Sequence, residues 1–227
     1  FVQDASTKDY FSALLPKLGI KDVQITTFFE WAAKLLQINI DSIKSRIGED
    51  EDERDICEFE KREALKDLDS EINFNRNHFK TLEKVYEDYL SESSLKLLAK
   101  QKKEKIYDRF DLTILLQIYK NTRGKLEEEY IHYVKVKGKS KLNQKKAYDK
   151  IQYSLIIVDE TQNYLPEQIE LIKSTVGDKT KSILYVGDLV QQTHLGTLRS
   201  WDEVGEEFTD ARQAKLQKVY RNTKQIL

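Results

Sequence analysis

Two acidic residues set side by side at the end of an apolar run are the first place to look for chemistry in this chain. Ser154–Val158 reads Ser-Leu-Ile-Ile-Val and is followed by Asp159-Glu160-Thr161-Gln162. An apolar strand that ends in Asp-Glu carries two carboxylates to the C-terminal edge of a parallel sheet, where ligands of such sheets bind. Asp159 there suits Mg²⁺, which takes few carboxylates and keeps its waters. Glu160 suits the orientation and deprotonation of an attacking water. Twenty-eight positions after Asp159, a second apolar run, Ser182–Val186, ends in Gly187-Asp188-Leu189-Val190-Gln191. Gly187 permits a tight exit from the strand, and Gln191 is an uncharged group able to hydrogen-bond a terminal phosphate. Further on stands Tyr220-Arg221-Asn222. Arg221 can stabilise charge on a transferring phosphoryl group, and Tyr220 offers a ring for stacking on a base.

The elements that must position these groups follow from periodicity. Two apolar runs separated by a helical stretch, Glu167–Ser174, suit parallel strands with both sheet faces covered, an α/β texture. Upstream, residues 5–18 read as a helix capped by Ser6 or Thr7, with Phe11, Leu14, Leu15 and Leu18 at helical spacing and Gly19 as the stop. Asp22–Thr27 reads as a short strand and Phe28–Gln37 as a second helix. From Ile38 to Tyr148 the chain is highly charged. Stripes such as Phe79, Leu82, Val85, Tyr86 and Leu112, Leu115, Leu116, Tyr119 there predict several packed helices.

Composition narrows the class. The 227 residues carry 38 Lys plus Arg against 39 Asp plus Glu, and 34% of the chain is charged. The resulting −1 is a cancellation: residues 48–71 hold twelve acids and four bases, residues 100–150 fifteen bases and seven acids. The acidic stretch 48–63 reads as a solvated helix face. The lysine-rich stretch 135–146 has six lysines and no acid. Lys135, Lys137 and Lys139 would share one face of a strand, as a solvated loop or hairpin or as a contact to phosphate backbone. One cysteine, Cys57, excludes an intrachain disulfide and a Cys-rich zinc site. His78, His132 and His194 are too scattered to suggest a metal site. No signal peptide or membrane span is visible, so the expected setting is cytoplasmic, with no membrane partner. The chain begins Phe-Val-Gln and holds no methionine, and it is expected to be a piece of a longer protein.

Taken in order, Asp159-Glu-x-Gln162, Gly187-Asp188-x-x-Gln191 and Tyr220-Arg221-Asn222 resemble motifs II, III and IV of superfamily 1 DNA helicases, the UvrD, Rep and PcrA-like enzymes. Ile25-Thr26-Thr27-Phe28-Phe29-Glu30-Trp31 resembles that family's motif Ib, which lies beside single-stranded DNA. The helix before it is most similar to the helicase IV and HelD branch. The resemblance covers about residues 1–37 and 150–227. It implies a partial RecA-like P-loop NTPase domain over those residues, an α/β fold on a parallel sheet. A mostly helical subdomain would be inserted over 38–149. It further implies ATP and Mg²⁺ as cofactors, single-stranded DNA as partner, and ATP hydrolysis coupled to movement along that strand. By the same resemblance Asp159 holds the metal, Glu160 activates water, and Gln191 and Arg221 contact the γ-phosphate. Asp188 belongs to the nucleotide site, Gln162 couples nucleotide state to motion, Tyr220 contacts adenine, and Thr26, Thr27 and Phe28 lie along DNA. Trp201 stands where the family stacks a tryptophan on bases, although its spacing from Gln191 is longer than usual and nearer the HelD branch. That branch implies RNA polymerase as an alternative partner, and a non-catalytic binding module is a further alternative. No Gly-x-x-x-x-Gly-Lys-[Ser/Thr] occurs in the chain. Gly138-Lys139-Ser140 mimics only its tail, so the phosphate loop is expected before residue 5 and the chain alone is expected not to hydrolyse ATP.

Overall fold

A computed structural model describes residues 1–48, 50–135, 142–192 and 195–215. Seven α-helices and four strands are present among them, in the order α1 Ala5–Leu14, α2 Phe28–Leu36, α3 Glu51–Lys66, α4 His78–Tyr86, α5 Glu92–Glu104, α6 Arg109–Arg123, β1 Glu127–Lys135, β2 Leu142–Lys150, β3 Leu155–Val158, α7 Pro166–Lys173 and β4 Ser182–Tyr185. The fold is therefore mixed α/β with two small sheets, one antiparallel (β1–β2) and one parallel (β3–β4).

The parallel sheet positions the acidic pair. β3 and β4 run side by side in the register Leu155↔Ser182 to Val158↔Tyr185, joined through α7 in a βαβ unit. The N-terminal residues extend it. Phe1 N donates to Ile157 O at 2.5 Å and Asp159 N donates to Phe1 O at 3.0 Å, the bonding pattern of a parallel bridge to Val158. Val2 in turn bridges Thr27 in parallel. Four chain segments thus lie in parallel order, 27, 1–2, β3 and β4, though only the last two are regular strands. The expected strand Asp22–Thr27 is not formed: the segment is irregular, Asp22 has φ 60°, and its single ladder contact is at Thr27.

Among the described residues the sheet is covered on one face only, against the expectation of two. Ile156 and Val158 are buried with Ile169 and Ile172 of α7, whereas Leu155, Ile157 and Leu184 are exposed. The continuous apolar run does not betray this, because alternate burial leaves no trace when both sides carry Leu and Ile.

Behind the covered face, one apolar cluster runs from Phe28, Trp31, Ala32 and Leu36 of α2 through α6 to α7. Ten residues of α6 are buried, and α2, α3, α4 and α7 all pack on it. Its ends are well specified. Asp108 accepts from Phe110 N and Asp111 N, Asp111 returns a bond to Asp108 N, and Gly124 closes the helix at φ 73°. Helix α2 likewise starts in a reciprocal cap between Thr27 and Glu30. Helix α1 is different. Asp4, not Ser6 or Thr7, caps it, and none of its residues is buried. It touches the rest through Lys8, paired with Glu30 at 2.7 Å.

Two further expectations change. Glu127–Lys135 and Leu142–Lys150 are not helical: β1 and β2 form a nine-pair antiparallel ribbon, Glu127↔Lys150 to Lys135↔Leu142. The acidic stretch is not simply solvated either. On α3, Cys57, Glu58, Lys61, Arg62, Ala64 and Leu65 are all buried. Among the described residues no helix is long and apolar enough to cross a membrane.

Candidate nucleotide site

The exits of β3 and β4 are clamped together by Thr161. Its amide donates to Val186 O at 2.9 Å, and its hydroxyl reaches both Val158 O at 2.9 Å and Val186 O at 3.0 Å. Val186 N donates back to Val158 O. To make this turn Glu160 takes a left-handed conformation, φ 49°, ψ 45°. For a non-glycine residue that costs about 1–2 kcal/mol, so the turn holds Glu160 in place against its own preference.

A chain of hydrogen bonds then links the predicted residues across both strand ends. Asp159 Oδ1 accepts from Glu160 N at 3.1 Å. Glu160 Oε2 accepts from Gln162 Nε2 at 2.6 Å. Gln162 Oε1 accepts from Asp188 N at 3.1 Å, and Asp188 Oδ2 accepts from Gln191 Nε2 at 2.8 Å. Gln162 is buried, so both ends of its amide are committed: one to the acidic turn, the other to the second loop. Gly187 leaves room for this. A Cβ at that position would overlap Gln162 Oε1 and approach Thr161 N to 3.0 Å.

Asp159 is half-buried, and its carboxyl is held above the usual carboxylate range, first by burial and then by the charge of neighbouring Glu160. A divalent cation at its oxygens would offset both effects, so the residue fits a Mg²⁺ site. Among the described residues no group of three or more His, Cys, Asp or Glu could hold a metal ion. A single carboxylate completed by phosphate and water is the arrangement Mg²⁺ commonly adopts with nucleotides.

The remaining predicted residues are placed as follows. Thr27 spends its hydroxyl on the α2 cap, Phe28 is buried in the core, and Thr26 is half-buried with its hydroxyl donating to Thr27 O at 3.1 Å. Trp201 opens a short 3₁₀ turn, Trp201–Val204, and packs edge-on against Phe208 at 6.2 Å. Lys135 ends β1. Lys137, Lys139, Tyr220 and Arg221 lie outside the described residues. Thus Asp159, Glu160, Gln162, Asp188 and Gln191 are brought together, and Thr26, Thr27 and Phe28 flank the same sheet through the Val2 bridge. Sequence reasoning missed Thr161, whose clamp is the hinge of the whole arrangement. A Thr three residues beyond a strand is the one signal that could have found it, since a hydroxyl there can reach back to strand carbonyls.

The arrangement can present two carboxylates and a glutamine amide at the C-terminal edge of parallel strands, with their relative positions fixed by backbone bonds. No family model matches the chain, and neither a curated protein nor a solved structure does.

Proposed function

We propose that the chain carries the water-activating half of a nucleotide-hydrolysing site in a cytoplasmic, RecA-like motor that moves along single-stranded DNA. The observation that carries this reading is the unbroken hydrogen-bond path from Asp159 through Glu160, Gln162 and Asp188 to Gln191. It joins an acidic strand end to a polar loop on the adjacent parallel strand, the place where α/β sheets bind ligands. In this reading Mg²⁺ bound with ATP supplies charge neutralisation for the phosphates. Asp159 holds the cation, and Glu160, fixed in its left-handed turn, accepts the proton of the attacking water. Gln191, exposed at the end of the second loop, would hydrogen-bond a terminal phosphate in this reading. Any shift of the Asp188–Gln191 loop pulls on Gln162 and so on Glu160, which gives a physical route from nucleotide state to the strand ends.

The experiment is ATP hydrolysis by the full-length natural protein, with and without single-stranded DNA, beside Glu160→Gln. The expected result is DNA-stimulated turnover that falls by about 10²-fold or more in the variant, the range for loss of a general base. Equal turnover in the two proteins overturns the assignment. Turnover that ignores DNA and responds instead to RNA polymerase favours the polymerase-remodelling alternative. Trp201, half-buried and packed edge-on against Phe208, has part of its ring already covered within the chain.

A further inference from the structure

Beyond Gln191 the chain turns back into the core, and its backbone is gripped there from two sides. Leu198 and Thr197 are buried. Leu198 N donates to Tyr164 O at 3.1 Å, which ties this segment to the turn that follows Glu160. Gln192 Nε2, adjoining Gln191, donates to Thr197 O at 3.0 Å and also to Leu198 O. A buried loop must find partners for its peptide groups, and side chains supply several of them in this one.

The second grip comes from the helices. Arg109, the first residue of α6, is 7% exposed, and its Nη2 donates to Leu195 O at 2.5 Å. Its carboxylate neighbour, Glu58 of α3, is farther off at 3.5 Å and already accepts from Arg46 Nε at 2.9 Å. Among the described residues nothing pairs with the buried Arg109 Nε. The Leu195 carbonyl is therefore the closest anchor of a charge taken out of water, and such a charge holds its partner firmly. Next to it, Gly196 lies flat on Arg62 of α3. Its φ is 75°, and a Cβ there would come within 3.0 Å of Arg62 Cδ and 3.1 Å of Nε. Arg62 is itself fixed by Glu167 of α7, at 2.6 Å in a largely buried ion pair. Two arginines from the helical region, each beside a carboxylate, thus hold positions four and five residues after Gln191. The loop of Gln191 is fixed at its start by Gln162, through Asp188 N, and at its end by Gln192 and these arginines.

We propose that Arg109 is a positioning residue for Gln191, with Arg62 as its support under Gly196: α3 and α6 hold residues 195–198, and that hold sets where the loop 188–191 stands at the strand ends. A guanidinium suits the task because its planar, rigid set of donors fixes the direction of a carbonyl as well as pairing with it. The assignment rests on the reading above for what Gln191 does. It deepens that reading by naming the residues through which the helical region controls the site.

The test begins with hydrogen exchange of the full-length natural protein without nucleotide, read at the amides of Gln191 and Leu198 and, for comparison, at residues 114–118 inside α6. Arg109→Gln and Gly196→Ala attack the grip from opposite sides. Each is expected to speed exchange at Gln191 and Leu198 about tenfold or more and to leave the α6 amides within about twofold. Nucleotide hydrolysis then shows whether the hold acts through Gln191. Arg109→Gln is expected to lower kcat about tenfold in the native background and to change it less than about twofold in a Gln191→Ala background, the non-additivity of residues that act as a unit. A mere loss of folded protein would lower both backgrounds alike. The proposal is overturned if neither variant speeds exchange at Gln191, if α6 loosens as much as the loop in both, or if the two losses in kcat multiply. Absence of hydrolysis in the native protein sinks the motor reading, while exchange still decides whether the arginines place the loop. Hydrolysis that is lost in Glu160→Gln but unmoved by Arg109→Gln sinks this assignment alone.

Discussion

Glu160 pays for its position in backbone strain, and that strain is measurable. A glycine occupies φ 49° without the Cβ clash, so Glu160→Gly removes about 1–2 kcal/mol of conformational cost while losing the bond to Gln162, worth about 1 kcal/mol. The expected outcome is a chain at least as stable as the native one in urea denaturation and, on the proposed function, a full-length protein whose nucleotide hydrolysis is lost. A large loss of stability would show that the turn is not strained. Gly187 is the converse case. Its Cβ position overlaps Gln162 Oε1, so Gly187→Ala must displace the amide that joins the two loops. A cost of about 1–3 kcal/mol is expected in the same denaturation assay. Asp159 adds a pH signature. Its folded-state pKa is raised, so its neutral form is the one the fold favours. The favourable contribution is complete below the unfolded carboxylate pKa and is lost as pH rises through the folded one. Asp159→Asn should therefore be more stable than the native chain at neutral pH, with the difference shrinking as pH falls through the carboxylate range. Mg²⁺, if it binds there, should narrow the gap at neutral pH for the native chain and leave the variant unchanged.

Between elements, the join of α3 to α6 is polar and buried. Lys61 is fully buried and donates to Asp108 at 2.6 Å, Asp111 at 2.8 Å and Gln101 at 3.0 Å. Tyr86 Oη donates to the same Asp111 oxygen at 2.7 Å, and Gln101 Nε2 to the other at 2.7 Å. Burial works against the lysine's charge, but the two aspartates hold its pKa above the ordinary value. The adjoining Cys57 thiol is pushed up to about 12, chiefly by burial. Lys61→Met leaves two buried carboxylates facing each other and is expected to cost about 3–5 kcal/mol, read from urea denaturation. A cost below about 1 kcal/mol would mean that water reaches the cluster. This network also marks where the sequence stopped being readable. The helices of α4 and α6 were legible because Leu, Val and Ile recur every three to four residues. The buried side of α3 was not, because its inward residues include Glu58, Lys61 and Arg62, which composition assigns to solvent. The parallel pairing of β3 with β4 was legible from two apolar runs flanking a helix. The ribbon was half legible: alternating lysines suggested a hairpin, but Tyr130, Tyr133 and Tyr148 have no period that separates strand from helix in so short a stretch. Of the candidate site, Asp159, Glu160 and Gln191 could be named from their places at or just after the two strand ends, whereas Gln162 and Asp188 followed only from the resemblance. Their mutual bonding could not, because it depends on the backbone turn that Thr161 holds.

At the scale of the molecule, the parallel sheet divides a packed side from one that the described residues leave bare. On the packed side Ile156 and Val158 meet α7 and, through it, α6. On the other, Leu155, Ile157, Leu184 and Val186 are 57%, 47%, 51% and 41% exposed. They form one patch, because Ile157 and Leu184 are opposite in the register and Leu155 and Val186 share their parity. Parallel sheets are ordinarily covered on both faces, and a patch of this kind on a lone chain favours association in water. Thr substitutions test this without disturbing the ladder, since Thr keeps strand propensity and removes apolar surface. Ile157→Thr/Leu184→Thr is expected to leave the urea midpoint equivalent to within about 1 kcal/mol of the native chain, as substitutions at exposed positions do. Sedimentation velocity over a concentration series should show less self-association than for the native chain. A loss of more than about 3 kcal/mol in the dilute monomer would mean instead that these side chains are buried within the single chain in solution. Unchanged stability together with unchanged sedimentation would show that the face is tolerated bare, and that the packing of Ile156 and Val158 against α7 is enough to hold the acidic strand ends in place.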